Sequence, residues 1–235
     1  MADRRSSVRF PGESDAYRAA RDELLRDEIA LRRQTEAVAA KRRALPLGGR
    51  VPEDYEFAAV VTTPEGAATH PVRLSELFRR GMDTLVVYSF MFGPQMKRPC
   101  PSCTSILDAL DGEAPHIMQR VNLAVVAKSS PARIGEFARQ RGWRHLPLYS
   151  SERNSYNHDY HAEGADGSQL PVLNVFVRTD DGVHHAYATE LLFAPNDPGE
   201  DGRHVDPIWP LWNMFDYTPD GRGATWNPRL DYEPW

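Results

Sequence analysis

The chain has only two cysteines, and they stand three residues apart in Cys100-Pro101-Ser102-Cys103. The thiolate, not the thiol, is the nucleophile, so the question is whether the position favours the anion. The pair follows a strongly apolar run and its loop, where a helical pattern begins with Pro101. Proline suits a first helical turn because its missing N–H is not needed there. Free backbone N–H groups and the helix dipole at such a start stabilise negative charge. Lowering a thiol pKa from roughly 8.5 to about 6.5 raises its ionised fraction at pH 7 from about 3% to about 75%. The spacing places Cys103 beside Cys100 on one turn, within reach of a disulfide. The sequence therefore assigns Cys100 as the attacking thiolate and Cys103 as the residue that resolves the mixed disulfide. The plain alternative is two small buried apolar residues that fall three apart. The strand-to-helix junction favours redox chemistry over it.

The eight histidines open a second chemistry. His158 and His161 would share a face of a helix and, with Cys100 and Cys103, form a copper or zinc site. His184 and His185 adjoin on a predicted strand and point to opposite faces, so they do not chelate together. Taken singly, each histidine reads as a surface or hydrogen-bonded residue. Two cysteines are too few for a disulfide-stapled scaffold, a four-cysteine zinc site or an iron–sulfur cluster within one chain. No glycine-rich phosphate loop follows any strand, so no organic cofactor is expected.

The elements that must position these residues are legible in outline. Residues 14–45 contain no proline or glycine and are dominated by Ala, Arg, Glu, Asp and Leu, all good helix formers. Tyr17, Leu24, Leu31 and Val38 recur every seven residues. Asp27, Gln34 and Lys41 occupy the complementary heptad positions, so the apolar seam is narrow for a coiled coil. The reading is a long, mostly solvated helix whose stripe is covered by its own chain or by a second protomer in a homodimer. Beyond it, strands are expected at 55–61, 84–92, 121–127, 146–149 and 172–177, the last paired with 183–189 across Thr179-Asp180-Asp181-Gly182. A turn is expected at Pro64-Glu65-Gly66, a short helical turn at 74–78, and helices at 101–110 and 131–141. Strand–helix alternation followed by a hairpin predicts an α/β mixed sheet flanked by helices. The last forty residues read as an irregular wrap held down by Trp209, Trp212 and Trp226.

With 235 residues the chain can bury a sizeable core. A net charge of -5, distributed as +4 over residues 1–50 and -9 beyond, argues against a general nucleic-acid binder. Mean hydropathy is -0.55, and no apolar run approaches the roughly 18 residues of a membrane span. The opening MADRRSSVRF has basic residues without an apolar segment behind them. The expectation is therefore a cytoplasmic protein without a secretory signal or membrane partner.

Further residues carry a resemblance. Tyr88-Ser89-Phe90-Met91-Phe92-Gly93-Pro94 followed by Cys100-Pro101-Ser102-Cys103 resembles a bacterial thioredoxin-like family catalogued as domain of unknown function eight-nine-nine. That family is related to alkyl hydroperoxide reductase and thiol-specific antioxidant proteins. Leu74-Ser75-Glu76-Leu77-Phe78, Gly142-Trp143, Tyr149-Ser150-Ser151, Asn157-His158-Asp159-Tyr160 and Asp216-Tyr217-Thr218-Pro219-Asp220-Gly221-Arg222 are similar to further family segments, so the likeness runs over most of the chain. It implies an N-terminal helical extension at 1–50 and a thioredoxin-like domain with a C-terminal extension at 51–235. It does not imply a peroxiredoxin. A peroxidatic cysteine follows a proline by seven residues and a hydroxyl residue by three, where this chain has Gly93 and Lys97. The cysteine pair points to thiol–disulfide exchange with a protein or small-molecule partner, the other class being a non-catalytic binding module on the same frame. The resemblance also implies a cis proline against the cysteines, placing a cis Leu170–Pro171 bond and substrate contacts at Leu170 and Pro171.

Overall fold

The computed structural model describes residues 8–63 and 66–233. Their contacts fall into two units, Met1–Pro46 and Leu47–Trp235. The first is dominated by one helix, α1 (Asp15–Arg43). Ser14 caps it, its hydroxyl oxygen accepting the Tyr17 N–H at 3.1 Å, and Lys41, Arg42 and Arg43 complement the dipole at the other end. Within this unit the stripe is uncovered: Tyr17, Leu24 and Leu31 are exposed. The helix holds an ionic anchor instead, in which buried Arg18 faces Glu13 and Asp22 and donates to the Val8 carbonyl.

The second unit carries seven strands: β1 (Glu56–Thr63), β2 (Gly66–Arg73), β3 (Thr84–Ser89), β4 (Asn122–Ala127), β5 (Leu148–Ser150), β6 (Leu173–Thr179) and β7 (Gly182–Ala188). They form one sheet in the order β2-β1-β5-β4-β3-β6-β7. The central strands β5, β4 and β3 are parallel, while β1 and β6 flank them antiparallel. Helices α2 (Pro101–Ile117) and α3 (Pro131–Arg141) are the crossovers β3-α2-β4 and β4-α3-β5. This βαβαβ unit followed by a hairpin is the thioredoxin-like arrangement, a mixed sheet flanked by helices.

Both faces of the centre are buried, which explains the continuous apolar runs. Along β3, Leu85 and Val87 face one core with Tyr55, Phe57, Phe78, Tyr156 and Phe176. Tyr88 faces the other, with Cys103, Ile106 and Leu107 of α2 and Ile134 and Ala138 of α3. Along β4, Leu123 and Val125 share the α2 side, whereas Ala124 and Val126 lie opposite. After α3, Gly142 takes a φ of 76°, a left-handed turn that glycine adopts without a Cβ penalty.

Several expectations are corrected here. The strand β2 was not foreseen, because GAATHPVR lacks an apolar alternation and contains Pro71; it forms as the outer partner of β1, an edge position that tolerates proline. The turn expected at Pro64-Glu65-Gly66 falls partly outside the described residues. Helix α2 runs to Ile117 rather than ending near 110, since neither Gly112 nor Pro115 stops it. A helical turn α4 (Tyr156–Asp159) precedes β6 and a single turn, Glu190–Phe193, follows β7; the wrap itself includes a single turn, Asp206–Ile208, and the short helix α5 (Pro210–Phe215). Trp209 and Trp212 are buried against α2. Trp226, half exposed, packs edge-on against Trp212 at 5.8 Å and Phe215 at 5.4 Å. Among the described residues, no helix is long and apolar enough to cross a membrane.

Candidate functional site

Chain direction brings Cys100 to its place. After β3 the backbone runs through Phe90 to Met96, and this loop is pinned from α3 by Arg133, which donates to the Gly93, Pro94 and Met96 carbonyls and stacks on Phe92 at 4.5 Å. Gly93 is required: a Cβ there would stand 2.9 Å from the side chain of buried Gln169. The Cys100 N–H then donates to the Met91 carbonyl at 3.0 Å, and Thr104 returns its N–H and hydroxyl to the Cys100 carbonyl. These bonds fix Cys100 at the N-cap position of α2, with Pro101 in the first turn.

Both cysteines are free thiols. Cys100 is partly exposed, whereas Cys103, one turn inside, is 1% exposed. The Cys103 thiol donates toward the Cys100 sulfur, and this outweighs the opposing effect of burial; the Ser102 and Cys103 N–H groups and the Ser102 hydroxyl add to it. The Cys100 pKa is thereby brought down to about 6. Burial pushes the Cys103 pKa well up, and the adjoining Cys100 sulfur adds to the rise. Tyr88, fully buried, has its own pKa raised by the same desolvation and by the neighbouring sulfur.

The pair lies in a cavity of about 240 Å³. Tyr88, Met91 and Ile106 line one side and Pro171 another, and the C-terminal wrap supplies Asp201, Arg203, His204, Asp206, Trp209, Trp212 and Asn227. The Trp209 indole N–H donates to the Ser105 hydroxyl at 3.1 Å, tying the wrap to α2. An ion-pair cluster holds it from outside: Arg222 reaches Asp206 at 2.5 Å and Asp216 at 2.8 Å, and Arg203 reaches the same two carboxylates. Two guanidinium groups hold the Asp216 carboxyl well below the usual carboxylate range. Sequence reasoning saw the tryptophans as anchors and missed that they, and the acidic residues among them, wall the cysteine site. The distance in sequence, about a hundred residues, left no local signal.

Pro171 lines the cavity as expected, but the Leu170–Pro171 bond is not cis, and no cis peptide occurs among the described residues. The bend is supplied otherwise: the Val172 N–H donates to the Leu170 carbonyl at 3.1 Å, closing a three-residue turn about Pro171. Leu170 N–H donates to Ala162 and the Val172 carbonyl accepts from Ser89, so Leu170 has no free backbone pair for an incoming strand. His158 pairs with Asp159 and His161 packs on Phe193, neither lining the cysteine cavity. Among the described residues no three His, Cys, Asp or Glu side chains are grouped to hold a metal. His184 and His185 part as their strand requires, toward Asp181 and Asn174.

The sheet order and the cysteine-bearing crossover define a thioredoxin-like protein. The chain belongs to the family described as "Bacterial protein of unknown function (DUF899)", matched over residues 8–233. None of the curated proteins matches it. Among solved structures it is similar to the peroxidoxin BcpB of Mycobacterium tuberculosis, with 18% identity over 71% of this chain and 95% of that one and a TM-score of 0.43. It is similar to a PrxQ mutant from Xylella fastidiosa, with 11% identity over 72% and 97% and a TM-score of 0.46. A peroxiredoxin-like protein from Aquifex aeolicus gives 18% identity over 61% and 79% and a TM-score of 0.38.

Proposed function

We propose that this protein is a thiol–disulfide oxidoreductase in which Cys100 attacks a disulfide and Cys103 resolves the mixed disulfide. One observation carries the reading: a partly exposed thiol at the N-cap of α2 stands one helical turn from a buried one, an environment that lowers the pKa of the first and raises that of the second. That asymmetry is what sequential attack and resolution need, because the first sulfur must meet substrate as an anion and the second must wait. Pro171 is the wall against which the substrate's own sulfur lies. The walled cavity favours a small-molecule disulfide, or the tip of a protein loop, over an extended peptide strand. The failed peroxidatic pattern at Gly93 and Lys97 argues for disulfide exchange over peroxide reduction.

The test is alkylation by iodoacetamide as a function of pH in the two single-cysteine proteins. Cys103→Ser is expected to react with an apparent pKa below that of a free thiol, the helix-terminal N–H groups remaining in place. Cys100→Ser is expected to react at least about tenfold more slowly at pH 7, its remaining thiol being buried and protonated. Equal rates in the two variants would remove the assigned roles and favour a non-catalytic binding module.

A further inference from the structure

Resolution has a proton to dispose of. In the mixed disulfide the Cys100 sulfur is no longer an anion, so it cannot accept from Cys103, and the Cys103 thiol must lose its proton before it attacks. The groups that share its cavity come from β3, α2, the Pro171 turn and the wrap. Tyr88 on β3 is a donor whose own ionisation is suppressed by burial. Ser102 on α2 and Asn227 of the wrap are not bases. Asp206 is engaged by Arg203 and Arg222, and Asp201 accepts the Arg203 N–H at 2.9 Å and faces Arg222. What remains among the described lining residues is His204. Its Nε2 is shielded from solvent and has no hydrogen-bond partner among the described residues. Burial lowers its pKa, partly offset by Asp201 and Asp206, so the ring is neutral at neutral pH and able to accept.

The backbone is arranged to present this ring. Arg203, the residue before it, has a φ of 44°, a left-handed conformation that non-glycine residues rarely adopt. Asp201 at its N–H and the two carboxylates at its guanidinium hold it there. Strain of this kind persists where surrounding contacts over-determine it.

We propose that His204 is the proton acceptor for Cys103 in the resolving step, directly or through a water in the cavity. This role rests on the thiol–disulfide reading above. In the first step the Cys100 thiolate attacks RSSR, forming Cys100–SR and releasing RS⁻, which takes a proton from solvent. In the second, the Cys103 proton passes to His204 as the Cys103 sulfur bonds to the Cys100 sulfur and the Cys100–SR bond breaks. The electron pair leaves on RS⁻, which His204 or solvent protonates. The two cysteines are oxidised to a disulfide and RSSR is reduced to two RSH.

The experiment is stopped-flow reaction of the reduced full chain with an aromatic bis-nitrobenzoate disulfide, which releases one coloured thiolate on attack and a second on resolution. This leaving group needs no protonation, so the second phase reads removal of the Cys103 proton. His204→Gln is expected to keep the first phase within about twofold and to slow the second by about 100-fold, the usual loss for a missing general base. In the unmutated protein the second phase should rise with pH through a point below the ordinary histidine value and then level. In the variant that inflection should vanish, leaving a rise only as Cys103 itself ionises. Added imidazole should restore the second phase of His204→Ala. An unchanged second phase, both phases slowed by one factor, or a slowing that imidazole does not relieve overturns the role of His204. Absence of the first phase in the unmutated protein overturns the thiol–disulfide reading itself, and this role with it.

Discussion

At the scale of single residues, the site rests on two neighbouring sulfurs of unequal exposure. The Cys103 thiol is the largest contributor to the low pKa of Cys100, ahead of the helix N–H groups that the sequence brought forward as the cause. Helix position alone is therefore not enough. Replacing Cys103 by Ala removes that donor and is expected to raise the Cys100 pKa from about 6 by at least about one unit, while Cys103→Ser keeps a donor and stays lower. Because reactivity rises with pH through the pKa, the Ala variant should alkylate more slowly at pH 7, its thiolate fraction falling from about 90% to about 50% or less. A pH–rate profile that is the same for the Ala and Ser variants would return the effect to the helix terminus. The positions of Cys100 and Cys103 at the start of a helix were legible in the sequence. The Tyr88 hydroxyl was not, because a tyrosine in a buried strand reads as packing until the neighbour of its oxygen is known.

Among the elements, those with strong local patterns formed where the pattern put them. Helix α3 spans the expected residues, with Gly142 after it, and β4 is buried along its whole length. Strand β3 ends at Ser89, short of the apolar run; the Phe90 N–H still donates to the Val126 carbonyl of β4, while the Phe90 and Phe92 side chains pack into the α2-side core. The wrap was foreseen as irregular, and its role came only with the fold, through Trp209, Trp212 and the Arg222 cluster. That cluster is the element's fastening. The Arg222 side chain is 11% exposed and serves Asp206 and Asp216 together, so removing it leaves the more exposed Arg203 alone against both carboxylates. Arg222→Ala is expected to lower stability by about 1–3 kcal/mol in urea unfolding. Arg98→Ala, which breaks an exposed pair with Asp231, should cost less than about 1 kcal/mol. Equal losses would mean that the wrap is held by its tryptophans alone. Since the Asp216 pKa is depressed, the fastening is fully present above the ordinary carboxylate range and is lost as pH falls below it.

On the scale of the whole molecule, every side chain described at the cysteine site comes from residues 88–227, within the unit Leu47–Trp235. Deleting residues 1–46 is accordingly expected to leave the pH–alkylation profile of Cys100 unchanged within about 0.3 of a pH unit, the precision of such titrations against the shifts that matter here. A larger displacement would assign the α1 unit a part in the site. The sequence made α1 visible through its unbroken run of helix formers, and Tyr17, Leu24 and Leu31 of its apolar stripe are exposed in the single chain. The sheet has a property that bears on how copies of this protein meet in solution. Its two margins are blunted in different ways. On β7, residues 48–51 already occupy the outward groups, with Gly48 and Val51 donating to His185 and Val183 and the His185 N–H donating to Gly49. On β2, Pro71 removes a donor from the other margin. Neither rim offers a continuous row of free amides, so the sheet is a poor template for strand-by-strand growth between molecules.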